Sequence, residues 1–170
     1  MSTVATKTGD GGNTDTPQGR AYKASLFPSV VGTLDELNAA IGIAMVDLWH
    51  RPTVQMLETA QFNLLSIGAS LWDSKTRVVK GDLSILDVFI TDYESNPGGF
   101  IIPEGRQAAP LHMARAICRR AERTLWAYKD KLDREIDPLL IRYLNRLSDA
   151  LYVAALCVTP AAPRMWYDVD

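Results

Sequence analysis

At 170 residues, with 47% hydrophobic and 22% charged positions, the chain has the size and balance of one globular domain, which excludes a disordered or fibrous protein. The formal net charge of −2 excludes a general attraction to nucleic acid or anionic lipid, so any anion must be held by a local cluster of bases. No stretch approaches the roughly 18 apolar residues of a membrane span, and the amino terminus lacks the basic start and apolar run of a secretory signal.

Residues 1–28 are broken by Gly9, Gly11, Gly12, Pro17, Gly19 and Pro28, so they read as a loop or a loose tail. A first helix follows Gly32. Thr33 and Glu36 are spaced as a capping box, and Leu34, Leu37, Ile41, Ala44 and Leu48 recur at helical intervals as far as about Trp49. Pro52 suits the first turn of a second helix, with the stripe Val54, Leu57, Gln61, Leu64, Gly68 and Leu71. Gly68 there offers room for a neighbouring helix. A third helix spans about Asp82 to Glu94, with Leu83, Leu86, Ile90 and Tyr93 inward, and Asn96-Pro97-Gly98-Gly99 stops it.

Phe100-Ile101-Ile102-Pro103 is too short for a helix and reads as an ordered apolar strap. Helix four begins between Arg106 and Pro110 and carries the most regular seam, Leu111, Ala114, Cys118, Ala121, Leu125, Tyr128 and Leu132. Asp137-Pro138 caps helix five, with Leu140, Leu144, Leu147, Leu151 and Ala154 inward. The proline-rich tail from Thr159 is expected to fray. Cys118 and Cys157 fall inside helical patterns, which favours free thiols and suits a reducing cytoplasm. Five helices without convincing strands or internal repeats predict an all-α, ferritin-like, five-helix antiparallel bundle. The expected organisation is a single domain: a glycine-rich loop at 1–28, a bundle at 29–158 and a tail at 159–170.

Stepping helix four at 100° per residue gathers His112, Arg115, Arg119, Glu122, Arg123 and Trp126 in one sector away from the seam. Guanidinium forks in such a row suit phosphate oxygens. The charge pattern alone, however, favours a solvated face, or pairing with carboxylates of a neighbouring subunit. Arg142, Asn145, Arg146 and Asp149 repeat the theme on helix five. Thr6-Lys7-Thr8-Gly9-Asp10-Gly11-Gly12 has the free amides, lysine and hydroxyls that a phosphate-cradling loop needs, without Walker spacing. Taken alone, a flexible tail accounts for it better. With only His50 and His112, no Glu-x-x-His pair and distant cysteines, a zinc or di-iron site has little to be built from.

Four segments together, TKTGD at 6–10, VGTLDELNAAIG at 31–42, FIIPEG at 100–105 with APLHMARAICRRAER at 109–123, and YLNRLSD at 143–149, resemble the PduO-type ATP:corrinoid adenosyltransferases in order and spacing. The resemblance implies a trimeric five-helix enzyme with active sites between subunits, which moves the 5′-deoxyadenosyl group of ATP onto the cobalt of cob(I)alamin. It implies ATP contact for Thr6, Lys7, Thr8, Gly9, Thr14 and Lys23, and ATP, phosphate or Mg²⁺ organisation for Arg119, Arg120, Glu122, Arg123 and Asn145. Glu122 is the candidate Mg²⁺ ligand. Arg115 and Asp35 match a bridge between subunits, Phe100 matches an aromatic residue under the corrin, and His112 lines the same cavity. Arg119, Phe100, Arg115 and Asp35 are thus the implied catalytic group. A reductase and a B12-dependent enzyme are the implied protein partners. The alternative is a corrinoid-binding or delivery module of the same fold with little catalysis. The chain departs from the family pattern in NTDTPQGRAYK, where Asp15 and Pro17 are unusual, and at Glu104, where a glycine is expected.

Overall fold

The computed structural model describes residues 5–75, 77–78, 80–131, 135–160 and 164–166. A small antiparallel hairpin, β1 (Asn13–Thr16) and β2 (Gly19–Tyr22), precedes five helices: α1 (Leu26–Met45), α2 (Arg51–Asp73), α3 (Lys80–Tyr93), α4 (Ala108–Lys131) and α5 (Pro138–Val158). The expected all-α five-helix bundle is borne out. α4 lies between α1 and α5, α2 packs on α1, and α3 packs on α5.

The seams read from the sequence supply the core. Leu34, Leu37 and Ile41 of α1 meet Leu111, Ala114, Ala121 and Leu125 of α4 and Leu140, Leu144, Leu147 and Leu151 of α5 in one buried cluster. Leu132, placed in the α4 seam, lies outside the described residues. Each fully buried leucine contributes roughly 1.5–3 kcal/mol relative to exposure, so this cluster dominates what holds the bundle together. A side-chain pair links two helices across it: Asn63 Nδ2 of α2 donates to the Tyr143 hydroxyl of α5 at 3.0 Å. Burial drives that phenol's pKa well above its usual range. Cys118 Sγ donates to Leu144 O at 3.2 Å, and burial likewise holds its thiol far from ionisation. Both cysteines are free, Cys118 buried and Cys157 half-buried.

α5 starts as expected, with Asp137 accepting from Leu139 N at 2.8 Å. α1 does not. It begins at Leu26, and Thr33 lies mid-helix with its hydroxyl donating to Ser29 O at 2.7 Å, so Thr33 and Glu36 form no capping box. Pro28 in the first turn costs nothing there, because no intrahelical acceptor awaits its missing N–H. At its other end α1 stops at Met45, and Asp47 turns left-handed at φ 62°.

Three further expectations are corrected. The glycine-rich segment holds a hairpin rather than loop alone, because Thr16 Oγ1 donates to Gly19 O at 2.6 Å and accepts from Gln18 N at 3.3 Å, closing the Pro17-Gln18 turn. Gly68 is not the close helix contact expected within the chain: among the described residues a methyl added there would meet nothing within 4 Å. Within the tail expected to fray, residues 164–166 pair with the Phe100 strap through an Ile101–Met165 bridge. Among the described residues no helix is long and apolar enough to cross a membrane.

Candidate active site

Seven residues make two helical turns, so Arg115, Glu122 and Lys129 stack along one face of α4, with Arg119, Arg123 and Trp126 beside them. α5 lies alongside and supplies Asn145, whose Nδ2 donates to Glu122 Oε1 at 3.3 Å. Next to this pair opens a cavity of about 350 Å³, lined by Glu122, Trp126, Lys129, Ile141, Arg142 and Asn145. The Lys129 ammonium stands 4.9 Å from the Trp126 ring centroid. Arg123 donates to Arg119 O at 3.0 Å. Among the described residues Arg119, Arg123 and Arg142 have no carboxylate partner. Several cations around one carboxylate make an open positive surface suited to a polyanion. Arg120 faces the other way and is ion-paired with Glu36 of α1.

Further up the same face, the Arg115 guanidinium lies 5.2 Å from the Tyr152 ring centroid, and the His112 ring packs at 6.0 Å against that tyrosine. His112 Nε2 is buried without a hydrogen-bond partner among the described residues. Burial first, and the Arg115 charge second, lower the pKa of His112 below its ordinary 6.5, so the ring is neutral near pH 7. Asp35 lies on α1 in a groove shared with α2. The groove opens beside Asn38, Leu64 and Gly68 with about 210 Å³, and continues beneath the hairpin beside Thr14, Gly32 and Trp72 with about 330 Å³. Asp35 has no basic partner among the described residues, Arg115 included.

The Arg20 side chain ties the loop before the hairpin to the hairpin itself. Arg20 Nη2 donates to Thr8 O at 2.6 Å and Asn13 O at 3.2 Å, while Nη1 meets Asp15 Oδ1 at 3.1 Å. Asp15, the unusual carboxylate of this segment, is therefore turned to an arginine. Lys7 is left-handed at φ 60°, and the Thr6 and Thr8 hydroxyls are 3.0 Å apart. A methyl added at Gly9 would stand 2.9 Å from the Lys23 ammonium, so the fold brings Lys23 to the loop. Phe100 is 78% exposed on its strap.

The structure thus joins Glu122 to Asn145, Lys23 to Gly9, and Arg115 to His112 through Tyr152. Among the described residues it does not join Thr6–Gly9 to the arginines of α4, or Asp35 to Arg115. Three site neighbours escaped the sequence reading. Tyr152 lies seven residues after Asn145 and Lys129 seven after Glu122, so helical spacing could have found both. Arg20 carried no such signal, since two of its three acceptors are carbonyls that only folding assembles.

Residues 4–158 match the family described as cobalamin adenosyltransferase. The chain is 39% identical over 166 residues to the corrinoid adenosyltransferase of Bacillus subtilis, covering 90% of this chain and 84% of that protein. It is 33% identical over 184 residues to the corrinoid adenosyltransferase of Mycobacterium tuberculosis, covering 98% and 93%. Its fold matches a variant PduO-type ATP:corrinoid adenosyltransferase from Lactobacillus reuteri, complexed with cobalamin and ATP, at a TM-score of 0.81 and 27% identity, covering 89% and 88% of the two chains. The reading of the four motif segments is borne out, and the chain belongs to the cobalamin adenosyltransferase family of enzymes.

Proposed function

We propose that this chain, acting as one domain, transfers the 5′-deoxyadenosyl group of ATP to the cobalt of cob(I)alamin, giving adenosylcobalamin and triphosphate. The open cationic face around Glu122 and Asn145, in a chain of this family, carries the reading. Co(I) is itself the nucleophile: its electron pair forms the bond to the 5′ carbon, while the C–O bond to the triphosphate breaks and its pair leaves with that group. No protein nucleophile is required.

The protein's task is to align carbon and cobalt and to stabilise the charge gathering on the leaving group. Arg119, Arg123, Asn145, Lys7 and Lys23 take the phosphates, with the Thr6, Thr8 and Thr14 hydroxyls and the Gly9 amide completing the grip. Arg120 can join only by exchanging Glu36 for phosphate. Among the described residues no three His, Cys, Asp or Glu side chains gather to cage a metal. That fits Mg²⁺ carried mainly by phosphate oxygens and water, with Glu122 as its protein carboxylate. When bound, the ion neutralises triphosphate charge.

Phe100, exposed on its strap, presses on the lower corrin face and keeps an axial ligand off cobalt, which eases reduction of Co(II). His112, neutral and half-buried, lines the same cavity. A homotrimer accounts for the two separated halves of the site. The loop of one subunit meets the α4 arginines of the next, and Asp35 in its open groove receives Arg115 of a neighbour. Two free thiols suit the cytoplasm, where a reductase would supply Co(I) and a B12-dependent enzyme would take the product.

The test is anaerobic absorbance of cob(I)alamin with MgATP and the purified protein, with Arg119→Ala alongside. Native conversion to adenosylcobalamin with release of triphosphate, reduced about 10²-fold or more by the substitution, is expected. Corrinoid bound without conversion would instead support a delivery module.

A further inference from the structure

The connector from α3 to α4, residues 94–107, carries Phe100 outside any helix. Gly98 at φ 78° and Gly105 at φ 79° flank the strap, and both hold backbone conformations that glycine adopts freely. An unrestrained connector of this length would spread Phe100 over many positions. The restraint comes from a segment far along the chain. Residues 164–166 run antiparallel to the strap, with Ile102 N donating to Arg164 O at 2.8 Å and Trp166 N donating to Phe100 O at 3.0 Å. Met165 is buried and Ile101 half-buried, whereas Phe100 and Trp166 are 78% and 64% exposed. Alternation along the two strands therefore leaves both aromatic rings on the open side.

Glu104 ties the same two segments a second time. Its Oε1 accepts from the backbone N–H of Arg164 at 3.1 Å, and its Oε2 stands 3.8 Å from Arg164 Nε. The ion pair is long and largely solvated, with side chains 35% and 58% exposed, so it contributes little. The bond from the main-chain N–H has ordinary hydrogen-bond length and is assisted by the carboxylate charge. Where the resemblance expects glycine, this chain has a side chain able to make that bond.

We propose that Glu104 is a positioning residue for Phe100: by holding the Arg164 N–H it fixes the 164–166 segment against the strap, and so fixes where the Phe100 ring stands. This rests on the corrin-facing role given to Phe100 above. The hydrogen-bond geometry assigns the work to an oxygen acceptor at position 104 and to the main chain at 164, leaving the Arg164 side chain dispensable.

Three substitutions separate these parts. Glu104→Ala removes the acceptor, Glu104→Gln keeps one, and Arg164→Ala keeps the N–H. With MgATP and a chemical reductant, turnover from cob(II)alamin is expected to fall about tenfold in Glu104→Ala, short of the ~10²-fold that a 1 Å misplacement can cost. In the other two it should stay within about twofold of native, because the backbone bond survives. Turnover of Glu104→Ala from pre-reduced cob(I)alamin should fall less than its turnover from cob(II)alamin. Amide exchange at Ile102 and Trp166 should quicken in Glu104→Ala alone. Equal losses from the two cobalt states, a loss in Arg164→Ala matching that in Glu104→Ala, or unchanged exchange at Ile102 would each overturn the proposal. A native protein that converts neither cobalt state would instead sink the adenosyltransferase reading, while amide exchange would still decide whether Glu104 holds the segment.

Discussion

A side chain that is neutral in the fold but free to take a proton when unfolded links acidity to stability. His112 is such a group. Its pKa lies below the ordinary 6.5 because burial and then the Arg115 charge disfavour the imidazolium. As pH falls through 6.5 the unfolded chain binds the proton first, so the stability present above that value is lost as pH drops toward the folded pKa. The native melting temperature should therefore fall more between about pH 7.5 and about pH 5.5 than that of His112→Gln, measured by calorimetry. Equal falls would place the imidazole in a more solvated setting. Neighbouring residues show what folding adds to an individual group. Glu122 and Asn145 were legible as a pair of polar faces on two helices, yet their hydrogen bond depends on how α4 and α5 pack. Asp15 was only an unusual residue of its segment until the hairpin register set it opposite Arg20.

Helix boundaries were legible where a side chain satisfies a main-chain donor, and misread where similar residue types occur inside a helix. Asp137 caps α5, so Asp137→Ala should cost about 1 kcal/mol in urea unfolding. Thr33, which sits mid-helix in α1 and donates to Ser29 O, should tolerate Thr33→Ala with a change within about 0.5 kcal/mol. A loss at Thr33 equal to that at Asp137 would contradict the helix start at Leu26. Pro28 and Gly32 look like breakers in the sequence, although a first-turn proline is harmless and one glycine costs a helix only about 1 kcal/mol. α1 recovers that cost by burying Phe27 and Val30. The hairpin was missed for a related reason. Its register is fixed by Thr16 hydrogen bonds and by Arg20, not by alternating apolar residues.

At the scale of the whole molecule, the loop at Thr6–Gly9 and the arginines of α4 make no direct bond within one chain. If each site takes its loop from one subunit and its arginines from the next, Lys7→Ala and Arg119→Ala should complement one another. Unfolded together and refolded as mixed trimers, the two poorly active variants should recover about a quarter of native activity by random assortment. No recovery, in mixtures shown by sedimentation to be trimeric, would place both halves on the same chain. The sequence by itself determined the five helices, their buried seams, the arginine face of α4 and the family, because helical periodicity and motif order are local properties of the chain. Only the tertiary structure decided the start of α1, the hairpin, the return of residues 164–166 to the Phe100 strap, and the Arg20 and Glu104 contacts. The strap pairing and the Arg20 and Glu104 contacts depend on main-chain groups distant in sequence meeting in space, and the start of α1 and the hairpin depend on local bonds to the backbone that apolar periodicity does not encode.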